Sequence, residues 1–176
     1  MAIFRNRLPA RRDVVLLFAC CAVPVYSWTI VFFFRRLQGW LLYLKPWDIV
    51  GVFAYAQLSA FLESLVLLCV CLVLSVILPA QLLRRGFVAQ GSVMVFLTAT
   101  LGIVLQYKPS VFSSPAISLL VAALFLALNG MAYVLLRRHR RLEESLVAFA
   151  ERLMVLAYIY GIVTLGSIGI VAFRNI

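Results

Sequence analysis

The sequence predicts an all-α integral membrane protein: a bundle of about five transmembrane helices, forming one membrane domain over residues 1–176, with the N-terminus cytoplasmic. Three observations carry this. First, the 176-residue chain is 65% hydrophobic and only 12% charged, against about half and about a quarter in an average soluble domain, and its mean hydropathy is +1.09. A soluble domain of this size buries only about 70% of the surface its unfolded chain exposes, too little to hide so much apolar area. Second, the apolar residues fall into five runs. Third, the basic residues sit in short clusters between those runs, where a membrane protein keeps them.

A spanning helix needs about 20 residues at 1.5 Å each. Residues 14–34, 49–78, 86–106, 115–136 and 153–173 meet this, the second with length to spare. The basic start (Arg5, Arg7, Arg11, Arg12) before an apolar stretch resembles a signal sequence, and LFAC at 17–20 a lipoprotein cleavage box. The apolar run, however, continues to Phe34 with no small-residue cleavage site, so it reads as an uncleaved first span.

Between the first two spans, residues 35–48 (RRLQGWLLYLKPWD) mix basic and apolar residues with Trp40, Tyr43 and Trp47. That pattern suits a short helix lying in the interface, with its rings at headgroup level, broken by Pro46 before the second span. Lys108-Pro109 and Ser113-Ser114-Pro115 mark a turn between spans three and four. In 142–152 (LEESLVAFAER), Leu142, Leu146, Phe149 and Leu153 recur at helical spacing, apart from Glu143, Glu144, Glu151 and Arg152. This predicts an amphipathic cytoplasmic extension of the fifth span. Orientation follows from Lys and Arg counts. The N-terminus, the 79–85 turn (Arg84, Arg85) and the 137–152 connection hold eleven; 35–48, 107–114 and the C-terminus hold five. A re-entrant first segment would leave four spans and move the N-terminus outside; Arg35 and Arg36 oppose the main trend.

The net charge of +10 is not a nucleic-acid signature, because no soluble basic stripe interleaved with aromatics exists to carry it. Cys20, Cys21, Cys69 and Cys71 all lie in apolar runs, without a CxxC or a second Cys/His cluster. Cys69 and Cys71 point about 200° apart on one helix, so they cannot share a metal. They read as small buried hydrophobes. His139 is the sole histidine, so the chain alone offers no bis-histidine haem site. No HExxH, GxSxG or phosphate-binding loop occurs. The expectation is a non-enzymatic protein without metal or cofactor.

Glu63 is the residue that asks for an explanation. An acid inside a span costs a few kcal/mol and belongs against protein or water. With Tyr55 at 0° on a helical wheel, Asp48 falls at about 20°, Ser59 at about 40° and Glu63 at about 80°, a one-sided polar stripe on the second span. Candidate partners within the chain are Gln90, Ser92, Thr98, Gln106, Asn129, Tyr158, Tyr160 and Thr164. No Lys or Arg lies deep in any span, so an ion pair must come from another subunit; otherwise Glu63 is protonated or hydrogen-bonded. Small residues four apart (Ala56, Ala60 and Ser64; Ala123 and Ala127; Ala157 and Gly161) suit close helix approach. Arg137, Arg138, Arg140 and Arg141 surround His139. They read either as a topology anchor or as contacts to anionic lipid or an acidic partner.

These features predict an accessory or structural subunit of a larger membrane complex. It would meet the lipid bilayer and other membrane subunits or copies of itself, as a multi-pass protein of the bacterial plasma (inner) membrane. The alternative is a small transporter or channel component working through Glu63, Ser59 and Tyr55. It is held back by the absence of a second deep titratable group and of paired broken helices.

Overall fold

The computed structural model describes residues 9–77, 86–107 and 114–175. Arg5, Arg7, the 79–85 turn with Arg84 and Arg85, and the Lys108–Ser113 part of the expected turn lie outside the described residues. Among the described residues five helices follow in order: α1 (Arg11–Tyr43), α2 (Pro46–Ile77), α3 (Phe87–Tyr107), α4 (Pro115–Arg138) and α5 (Arg140–Asn175). Each is long and apolar enough to cross a membrane. The chain is an all-α membrane bundle.

The boundaries have local causes. α1 runs through Pro24 and on past Phe34 to Tyr43, so residues 35–43 continue the first helix rather than form a separate one. Nothing between Arg35 and Tyr43 removes a backbone donor. The break comes at Leu44–Lys45, because Pro46 pushes the preceding residue out of the helical region. Leu44 is extended, and its N–H closes α1 on the Trp40 carbonyl at 2.8 Å. α2 then starts on Pro46, whose missing N–H costs nothing in a first turn. α1 is therefore a single 33-residue helix, which is incompatible with a re-entrant first segment. α4 and α5 are separated by His139 alone, whose N–H bonds the Leu135 carbonyl at 2.9 Å. Residues 142–152 form early turns of the 36-residue α5.

Odd-numbered helices run one way and even-numbered ones the other. Arg12 of α1 pairs with Glu151 near the start of α5, while Asp48 near the start of α2 pairs with Arg174 at the end of α5 at 2.8 Å. Trp28 Nε1 donates to Gln106 Oε1 at 2.7 Å, which sets α3 alongside α1.

α1 is the central element. Its Leu16, Leu17, Cys20 and Cys21 form a core with Leu68 and Cys71 of α2, Phe87, Val88 and Val95 of α3, and Ala150 and Leu153 of α5. Two glycines permit the α3 packing. Gly86 takes φ 116°, a conformation costly for residues with a Cβ, and its carbonyl accepts the Gln90 N–H at 2.9 Å. At Gly91 a Cβ would stand 2.7 Å from Leu17 Cδ1, so the absent side chain lets α1 and α3 close up. α4 packs on α3 and α5 and contributes no buried residue.

Candidate functional site

α2 has two faces of different character. Ala54, Gln57, Ala60, Ser64, Leu68 and Cys71 recur three or four apart and are buried. Tyr55, Ser59, Leu62, Glu63, Val66, Cys69, Val70 and Val73 are exposed on the other side. Cys69 and Cys71 fall on opposite sides, as their spacing requires, so that Cys20, Cys21 and Cys71 are buried as expected but Cys69 is exposed. Glu63 stands seventeen residues after Pro46 and fourteen before Ile77, about 26 Å and about 21 Å along the axis. It is therefore near the middle of the helix and on the surface of the bundle. Its Oε1 accepts the Ser59 hydroxyl at 3.1 Å, one turn back on the same helix. Among the described residues, it forms no salt bridge.

The polar stripe divides into two parts. Its upper half is tied to the end of α5. Arg174 donates to Asp48 Oδ1 at 2.8 Å and, from its other terminal nitrogen, to the Trp47 carbonyl at 3.4 Å. The Tyr55 hydroxyl donates to Asn175 Oδ1 at 3.3 Å. Among the described residues its lower half, Ser59 and Glu63, hydrogen-bonds only within itself. Of the residues considered as internal partners, Tyr158 is exposed and the others are bonded elsewhere. Ser92, Thr98 and Asn129 donate to carbonyls of their own helices. Gln90 reaches the Asn129 carbonyl at 3.3 Å, and Gln106 is taken by Trp28. Beside Glu63, an open apolar groove of about 410 Å³ runs down α2, walled by Leu62, Val66, Cys69, Val70 and Val73.

A second polar layer lies inside the bundle; of its members the sequence pointed only to Tyr160 and Thr164, as candidate partners of Glu63, and not to Tyr26, Ser27 or Gln57. Tyr26 of α1 is fully buried, stacks on Tyr160 of α5 at 4.7 Å and shares a hydrogen bond with Thr164. The Thr164 hydroxyl already donates to the Tyr160 carbonyl at 2.8 Å, so Tyr26 is the donor to Thr164. Ser27 and Tyr160 hydroxyls meet at 3.1 Å. Gln57 is fully buried, and among the described residues neither its amide nitrogen nor its amide oxygen has a hydrogen-bond partner. The signal available for Gln57 was its register: it falls with Ala54, Ala60 and Ser64 on the small-residue side of α2.

Small-residue spacing marks packing unevenly. Ala60 and Ser64 are buried and Ala56 half-buried, but Ala123, Ala127 and Gly161 are exposed.

Arg137, Arg138, Arg140 and Arg141 are all exposed at the α4–α5 junction. The Arg137 guanidinium donates to the Tyr133 hydroxyl at 3.0 Å, and Arg140 meets Glu144 at 3.3 Å. Arg11, Arg12 and Arg152 belong to the same end of the bundle, since α1 starts beside the first turns of α5. No family model, curated protein or solved structure matches the chain.

Proposed function

We propose that this chain is a non-enzymatic multi-pass subunit of a larger membrane complex. It is held in a bacterial plasma (inner) membrane with its N-terminus cytoplasmic, and the outer face of α2 is its docking side. The observation that supports this is the position of Glu63: halfway along a spanning helix, on the surface of the bundle, with Ser59 as its neighbour. An acid facing lipid at that depth costs about 2.5–3.5 kcal/mol on insertion scales, and contact with a partner removes that cost. The expected result is that gentle detergent extraction copurifies a stoichiometric membrane partner, and that Glu63→Leu abolishes its recovery while the chain itself still elutes as a folded species. Full recovery with Glu63→Leu excludes this docking face. Proton-coupled flux in proteoliposomes of the purified chain, lost in Glu63→Gln, would replace the reading with a transporter.

The basic cluster at the α4–α5 junction acts in this reading as a cytoplasmic anchor, with anionic headgroups as counterions. Each Lys or Arg beside such a surface contributes about 1 kcal/mol. Replacing Arg137, Arg138, Arg140 and Arg141 by Ala is expected to make a reporter cysteine at Ser145 reactive from the outer side in part of the population. Unchanged one-sided reactivity would show that these charges do not set topology.

A further inference from the structure

Resting on that reading, we infer that the partner docked on α2 is a transmembrane helix of a different protein, carrying one Lys or Arg at mid-membrane depth that ion-pairs with Glu63. Three observations lead to this. The first is charge. Glu63 Oε1 takes the Ser59 hydroxyl, and the residue is exposed on the surface of the bundle. Intramembrane carboxylates are stabilised by an opposite charge from a neighbouring helix.

The second is that this chain cannot supply that charge. No Lys, Arg or His occurs within 14–34, 49–78, 86–106, 115–136 or 153–173. A second copy inserted the same way would place its residues at matching depths. Across a two-fold axis on this face, Glu63 would therefore meet Glu63, and like charges oppose each other.

The third is shape. The exposed side chains Tyr55, Ser59, Leu62, Val66, Cys69 and Val73 follow one another at steps of four, three, four, three and four. This is the spacing of a seam that receives the side chains of one facing helix. Leu62 and Val66 are 62% and 61% exposed and lie about 100° and about 60° round the helix from Glu63, which stands at the edge of this seam, and the groove they begin is entirely apolar in its walls. Ser59 is small enough to leave room above the carboxylate for a long cationic stem.

The test uses the full chain in phosphatidylcholine nanodiscs and a synthetic spanning peptide of Leu and Ala. The peptide has a single Lys at its centre and a photoreactive Leu analogue one turn away. Control peptides carry Leu or Gln at the centre. The expected result is a cross-linking yield about tenfold higher for the Lys peptide than for the Leu peptide, with adducts on 59–73. Glu63→Gln should erase this difference, and Glu63→Lys should restore it when paired with a Glu-centred peptide. Equal yields for Lys and Leu peptides on the unaltered chain overturn the cationic partner. They leave the copurification result, which tests the subunit role itself, standing on its own. Disulfide formation between copies carrying Val66→Cys, at a large lipid excess, overturns it in favour of a second copy on this face. Elution of each variant as the same folded species separates loss of pairing from loss of fold.

Discussion

Tyr26→Ala is expected to destabilise the bundle by about 3 kcal/mol, the range for truncating a fully buried aromatic. Tyr26 is the largest fully buried side chain of α1, and it is held from two directions. Its ring stacks on Tyr160, and its hydroxyl donates to Thr164. Both contacts join α1 to α5. Between membrane helices the driving force is packing rather than escape from water, so the cost arises from contacts the neighbours cannot remake. Tyr26→Phe keeps the ring and removes the bond; its cost should be about 1 kcal/mol, in line with interhelical hydrogen bonds in bilayers. Unfolding in mixed micelles of increasing denaturing-detergent fraction measures both. Equal effects of the two variants would mean that the hydroxyl, not the ring, holds the helices together.

Gln57→Met should act in the opposite direction, stabilising the bundle by about 1–3 kcal/mol, the penalty attached to a buried polar group left without a partner. Gln57 is fully buried, with both amide atoms unpaired among the described residues, whereas Met has nearly the same length and no polar group to satisfy. The same titration reads it. A loss of stability would show that the amide is hydrogen-bonded in the bilayer. Combining Gln57→Met with Tyr26→Phe would measure their coupling; additive effects would place them in separate networks.

Much of the architecture was legible because it depends on one strong local signal. Runs such as Val14–Phe34 or Pro115–Leu136 must be helical in a bilayer, since every backbone group has to be bonded within its own segment. Pro46 and Pro115 mark helix starts by removing a donor, a purely local effect. The end of α1 was less legible. Composition changes at Arg35, but the backbone continues helical until Pro46 interferes, because charge and aromatic content say where a helix meets the interface and not where it stops. Gly91 carried no readable meaning before Leu17 was found packed against it.

The candidate site divides along the same line. That Glu63 is an isolated deep acid, one turn from Ser59, and that no span offers it a cation, is determined by the sequence alone, as are the five apolar runs and the asymmetry of basic residues. Only the tertiary structure decided which side of α2 faces α1 and α5. Apart from its polar stripe the helix is apolar nearly all round, and the stripe alone does not say whether it turns toward neighbouring helices or away from them. Packing made that choice, through small residues at Ala54, Ala60 and Ser64 that let helices approach. It turned Gln57 inward, tied Asp48 and Tyr55 to the end of α5, and left Glu63 on the surface of the bundle.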